Sequence, residues 1–335
     1  MDPTGPQSRR LRCICAGLAA IKATPTVGGA SSTSSSTSSS TSCGRGATVA
    51  LISHEGGPHF SAYIDAAAAL PPTVSQIVLC DMDGSWLSMA RSVIGSRLTG
   101  VYSDLNEMLA TENPLMSVVA MEAGRGPDAI RAVLEAGSHV MAEKPSCTDP
   151  ADLRELTALA DSKGLFIMMA LSNRLNAETV KAKELIDAGV IGELYGMELH
   201  QVADQTRLGR EDAASTWSNI KARAGGGHLI WLGIHWLDLA QYITGADIVQ
   251  VAGFTANVGA HGKKLDVEDS AAASFKMSNG TLGTMTSAYF VDKGYNAHIK
   301  LWGSKGWIQV RTRHLHNRTA LPVSVEAIRP FTTTV

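Results

Sequence analysis

From residue 47 to residue 171 the chain repeats one phrase: a short apolar run, a turn, then a stretch with apolar residues at helical spacing. Residues 48–52, 76–80, 116–121, 139–142 and 165–171 read as strands. Residues 59–70, 86–94, 105–109, 127–136 and a segment opened by Asp149-Pro150 read as helices, the last with Pro150 where a first helical turn tolerates it. Short continuous apolar runs suit strands buried on both faces, and a helical crossover between consecutive strands makes them parallel. The repetition therefore predicts an α/β domain over residues 47–172: an N-terminal doubly wound parallel sheet of the Rossmann type.

After Asn173 the rhythm changes. A helix over 177–188 leads into a strand at 194–201, and the remainder is strands joined by turns such as Ser278-Asn279-Gly280, with Asn-Gly as the hairpin signal. Residues 173–335 read as a C-terminal α+β domain with a broad, mostly antiparallel sheet suited to serve as a dimer surface. With 335 residues, 44% hydrophobic, there is material for two cored domains. A formal charge of −2 with no Lys/Arg block argues against nucleic acid or an anionic membrane as partner and for small molecules. The five cysteines form neither a disulfide framework nor a metal-ligand spacing, so no metal is expected. Residues 1–46, with only Ser and Thr over 31–42, read as a disordered tail or as an export or organelle-targeting leader; without a leader the protein would be cytoplasmic.

Two constellations carry chemistry. Glu143-Lys144-Pro145 follows the apolar run 139–142, which aims Lys144 out of the carboxyl end of a parallel strand, where open α/β sheets bind ligands. The second is the stretch from Gly225-Gly226-Gly227-His228 to Trp231, His235 and Asp238, whose spacing predicts one helix with the last three on a shared face. Its three glycines allow close approach to a ligand or a neighbouring segment.

These two motifs, with Ala136-Gly137-Ser138-His139-Val140, the stretch from Lys183 through Gly189-Val190-Ile191-Gly192-Glu193-Leu194, and Val267-Glu268-Asp269-Ser270, resemble the Gfo/Idh/MocA family of nicotinamide-dependent sugar and inositol oxidoreductases over roughly residues 47–320. The resemblance implies that Lys144 binds the reacting alcohol and that His235 serves as general acid/base or substrate orienter. Independently, hydride removal from an alcohol carbon needs a group to take the hydroxyl proton, and a lysine or a histidine can relay it. Relatives commonly carry Asp four residues before the motif histidine; here Trp231 stands there and is a candidate to stack on a sugar. His228, Arg174 and Asn173 are the other candidate substrate residues, with His200, Asp204 and Trp217 as further polar positions.

The first strand-to-helix turn departs from the dinucleotide fingerprint, whose three glycines would fall on Ser53, Glu55 and Pro58. Gly56 and Gly57 allow a remodelled turn in which Pro58 opens the helix. Asp81, ending the second strand, is placed to accept ribose hydroxyls and favours NAD over NADP; Arg125, in the third such turn, can meet phosphate. The expected cofactor residues are Ser53, Gly56, Gly57, Asp81, Arg125, Glu143 and Lys144. The leading reading is an NAD-dependent oxidoreductase acting on a sugar, cyclitol or related polyol. A sugar-binding or regulatory paralogue, and a non-redox sugar hydrolase or lyase that retains NAD, are the alternatives.

Overall fold

The computed structural model describes residues 46–311 and the strand Val323–Ala327; the expectations for the leader fall on residues outside these. The chain divides into two compact units. One takes in the described residues up to Met121, with Arg125–Glu143 and Ala151–Met169; the other comprises Glu122–Gly124, Lys144–Pro150 and the described residues from Ala170 onward.

The first unit holds β1 (Ala47–Ser53), α1 (Phe60–Ala68), β2 (Val74–Asp81), α2 (Leu87–Ile94), β3 (Leu98–Tyr102), α3 (Leu105–Glu112), β4 (Met116–Ala120), α4 (Gly126–Glu135), β5 (His139–Ala142), α5 (Pro150–Ser162) and β6 (Ile167–Met169). Its six strands are parallel in the order β3-β2-β1-β4-β5-β6. The order reverses between β1 and β4, the position at which such sheets bind ligands beyond their carboxyl ends. β1 is buried along nearly its whole length, because helices cover both faces. Phe60, Ile64 and Ala67 of α1 pack with Leu51 and Leu79 on one face; Ile130, Val133 and Leu134 of α4 pack with Ile52 and Val119 on the other. Fully burying each large aliphatic or aromatic side chain contributes about 1.5–3 kcal/mol. β3 was not legible as a strand, since it is a half-exposed edge of five residues containing Thr99 and Gly100. The expected strand 165–171 shrinks to three residues at the opposite edge.

The second unit holds α6 (Ala177–Asp187), β7 (Leu194–Asp204), α7 (Lys221–Ala224), a π turn (Leu229–Gly233), α8 (Ile234–Thr244), β8 (Ile248–Ala256), β9 (Ser270–Met277), β10 (Leu282–Val291), β11 (Tyr295–Gly303), β12 (Gly306–Val310) and β13 (Val323–Ala327). Its sheet runs β13-β12-β11-β7-β10-β9-β8; only the β7–β10 pair is parallel. Trp236, Leu239, Ala240 and Ile243 of α8 pack with Met197, Leu199, Met285, Ile299 and Leu301 of the sheet. The Trp236 indole fixes the helix by donating to the His298 carbonyl at 3.1 Å. By strand alternation the other sheet face carries Phe254, 86% exposed, and Leu282, 62% exposed.

The stretch read as one helix from Gly225 to Asp238 is a π turn followed by α8, which continues to Thr244. Hydrogen bonding from i to i+5 widens the turn, so Trp231 and His235 do not have the phase of a regular α-helix.

Candidate functional site

Lys144 lies two residues past the end of β5 at Ala142, and it is only 2% exposed. Its Nζ donates to the backbone carbonyl of Trp231 at 2.8 Å and lies 4.0 Å from the centre of the Trp231 ring. That carbonyl belongs to the π turn, one turn before half-buried His235. The two catalytic candidates are thereby held on one helical segment. The Trp231 ring is locked in turn: Trp217 packs edge-on at 5.5 Å and 79°, and Ala123 and Ala224 complete the cluster. With one face against the Lys144 ammonium, the indole is a support for the lysine.

The glycine triplet brings the backbone to a neighbouring segment. A Cβ on Gly227 would lie 1.9 Å from the Glu268 carbonyl oxygen, so only glycine fits. The Glu268 carboxylate accepts from Gly227 N at 2.7 Å and Leu229 N at 3.2 Å, and its carbonyl accepts from His228 N at 3.0 Å. These amides open the His235 segment, where donors lack intrahelical partners and a carboxylate complements the helix dipole. Glu268 was matched in sequence only as part of a motif, and its capping role was missed; backbone donors without intrahelical partners at the start of a helix are the signal that asks for such an acceptor.

His228 is fully buried, with Nδ1 2.7 Å from Ser287 Oγ, its ring edge-on to Tyr289, and no hydrogen-bond partner at Nε2. Burial, helped by the Arg207 charge, pushes its pKa down to about 3. It lines a small pocket with Trp231, Glu268 and Tyr289. Arg174 grips Asp238 with two guanidinium nitrogens, Nε at 2.7 Å and Nη2 closer, and lies over Tyr242. Asp238 therefore faces Arg174 through an ion pair, a placement that the shared-face reading with Trp231 did not include. Asn173 is half-buried in the short turn Ser172–Leu175. Of the further positions, Trp217 is buried, Asp204 caps Thr206 N at 2.8 Å, and His200 stacks on His298.

In the first unit, β1 runs into a turn over residues 54–57, closed by Gly57 N donating to the His54 carbonyl at 2.9 Å, with Gly56 at φ 74°. A Cβ on Gly57 would meet Ser53 Oγ at 2.0 Å and the Ala120 carbonyl at 2.6 Å; Ser53 Oγ itself donates to that carbonyl at 2.9 Å. Helix α1 opens at Phe60, later than a helix begun by Pro58 would, behind His59 in a left-handed conformation. Glu55 is exposed, and its backbone N–H is fixed by the Asp83 carboxylate. The turn is thus built differently from a glycine fingerprint, with side chains of the β2–α2 loop helping to hold it; Trp86 Nε1 donates to the His54 carbonyl at 3.0 Å.

Asp81 is 4% exposed; one carboxylate oxygen accepts from Trp86 N at 2.8 Å, while Oδ1 has no partner. A buried carboxylate oxygen needs a donor, and a ribose hydroxyl supplies one. The residues present therefore fit a dinucleotide at its ribose end. Arg125, at the start of α4, directs Nη2 to Met82 Sδ at 3.4 Å, beside Asp81 in the chain. Glu143 is buried; its carboxylate accepts from Tyr63 Oη and lies 3.2 Å from His59 Nδ1. Burial and the Glu143 charge push the Tyr63 phenol far up, so it stays a donor. The Tyr63 and His59 contacts were not foreseen, because nothing in sequence ties α1 to the end of β5.

Comparison with known proteins gives two family matches: a model described as an oxidoreductase family with NAD-binding Rossmann fold over residues 60–171, and a GFO/IDH/MocA C-terminal domain over residues 179–309. The first match begins just past the remodelled turn. D-glucoside 3-dehydrogenase of Escherichia coli is 32% identical over 161 residues, covering 44% of this chain and 44% of that protein. Myo-inositol 2-dehydrogenase of Thermotoga maritima is 26% identical, covering 62% and 59%. The chain spans about half the length of the curated relatives it matches. Among solved structures, GenD2 from gentamicin A biosynthesis, in complex with NAD, superposes with a TM-score of 0.68 at 23% identity, covering 82% of this chain and 75% of that one. At that identity the likeness establishes the fold.

Proposed function

Because the chain belongs to the Gfo/Idh/MocA family of oxidoreductases, we propose that it transfers hydride between a nicotinamide dinucleotide and a carbinol carbon of a sugar, cyclitol or related polyol. The names of the relatives, a glucoside dehydrogenase and an inositol dehydrogenase, support that substrate class. The observation that carries the reading is a buried lysine whose ammonium is held on the helical segment of His235.

The nicotinamide, when bound, accepts or returns the hydride. The chain's own residues manage the oxygen. Lys144 donates a hydrogen bond to the substrate hydroxyl, stabilising the negative charge that grows there as the hydride leaves. His235 takes the hydroxyl proton, and in the reverse direction returns it. Asp81 holds ribose hydroxyls through its unpartnered Oδ1, and its negative charge disfavours a 2′-phosphate, which supports NAD over NADP. Gly56, Gly57 and Ser53 shape the turn, and Arg125 supplies positive charge near the Asp81 strand end. Of the remaining candidates, His228 and Asn173 would act at the substrate, while Arg174 would act through Asp238. The exposed sheet face with Phe254 and Leu282 supports a homodimer or homotetramer.

Titration with NADH and NADPH, followed by nucleotide fluorescence, should show tighter binding of NADH. Incubation with NAD and a panel of sugars, cyclitols and polyols should then produce NADH from at least one. Binding of neither nucleotide would remove the proposal and leave a sugar-binding module.

A further inference from the structure

Lys144 is held by both parts of one residue. Its Nζ donates to the Trp231 carbonyl at 2.8 Å and sits 4.0 Å from the centre of the same residue's ring. Both contacts favour the charged amine: a carbonyl accepts a hydrogen bond that an ammonium donates strongly, and an aromatic face attracts a cation. The carbonyl belongs to the π turn Leu229–Gly233. Trp217, edge-on to the ring at 5.5 Å, keeps the indole from rotating away.

We propose that Trp231 is the positioning residue of Lys144, a clamp of carbonyl and indole that holds the lysine as an ammonium in a site with almost no access to water. The inference rests on the proposed function only for its use: a lysine kept charged serves as hydrogen-bond donor to the substrate oxygen and leaves proton transfer to His235. Several neighbouring titratable groups have partners of their own. Glu122 is paired with Arg223, whose carbonyl accepts from Gly124 N at 2.9 Å beside Ala123. Glu268 is taken up by the amides of Gly227 and Leu229, and buried His228 is neutral. Glu143, the preceding residue, spends its carboxylate on Tyr63 and His59. His235 follows one turn later on the same segment.

The test reads the protonation of Lys144 without any substrate. The full chain is labelled with limiting acetic anhydride across a range of pH, and acetylation of the Lys144 peptide is measured by mass spectrometry against that of exposed Lys276. The midpoint of the curve reports the charge state separately from accessibility. In Trp231→Leu the midpoint should fall by about one pH unit, a tenfold change in the neutral fraction below the midpoint. Trp231→Phe, which keeps both carbonyl and aromatic face, should stay close to the parent. Trp231→Met serves as a second apolar variant should the leucine variant fail to fold. An unchanged midpoint in a folded Leu or Met variant would overturn the clamp. The proposed function has its own readout: if the midpoint falls, the basic limb of kcat/KM should fall with it. A shifted midpoint with an unshifted limb would support the clamp and contradict the donor role of Lys144.

Discussion

Removing the Glu268 carboxylate should loosen the start of the segment that carries Trp231 and His235. In Glu268→Ala the amides of Gly227 and Leu229 lose acceptors at 2.7 Å and 3.2 Å, while the backbone bond from His228 N to the residue 268 carbonyl remains. Hydrogen bonds to a charged acceptor contribute about 1.5–3 kcal/mol each. The longer bond belongs at the low end, and water replaces part of the loss because Glu268 is only half-buried. The sum is about 2–4 kcal/mol, which corresponds to a melting temperature lower by about 3–6 °C in a chain of this size. Glu268→Gln keeps one oxygen acceptor but presents an NH₂ group to the second amide, so it should fall between the two. Calorimetry gives the melting temperatures, and hydrogen exchange should show Gly227 and Leu229 amides exchanging faster than those in α5. A Glu268→Ala protein that melts within about 1 °C of the parent, with unchanged exchange at these two amides, would refute the capping argument.

Two other outcomes follow from the same geometry. Because the folded pKa of His228 lies near 3 and the unfolded value near 6.5, its stabilising contribution is complete above pH 6.5 and is lost as the pH falls toward 3. Between pH 7.5 and pH 5 the loss is about 2 kcal/mol; chemical denaturation at both values should show His228→Asn losing correspondingly less, and equal losses would contradict the assignment. Arg174→Met should cost about 3–5 kcal/mol by stranding the buried Asp238 carboxylate, and adding Asp238→Leu should recover much of it; a double variant no more stable than the single one in urea denaturation would refute this.

The doubly wound sheet was legible because β1, β2 and β4 are continuous apolar runs and the helices between them show clear periodicity. β3 was not, since an edge strand with one half-exposed face and a glycine carries no such run. Lys144 could be placed at a strand end from four apolar residues and a proline. Its engagement with Trp231 could not, because 87 residues separate the two and the contact depends on a π turn, a departure from regular spacing that periodicity does not register. The missing fingerprint glycines were plain in sequence. The replacement turn was not, as it rests on contacts from Asp83 and Trp86, residues with no pattern of their own. Likewise Arg174 read as a candidate substrate residue, and in the structure its guanidinium is taken up by Asp238.

The central claim, that Lys144 acts on the substrate oxygen of a nicotinamide-dependent reaction, is tested most directly by Lys144→Met measured in two ways. NADH affinity should stay within about threefold of the parent, while turnover of any polyol that the parent oxidises should drop by about 10²–10⁴-fold. Turnover that survives the substitution, with NADH bound as before, would contradict it.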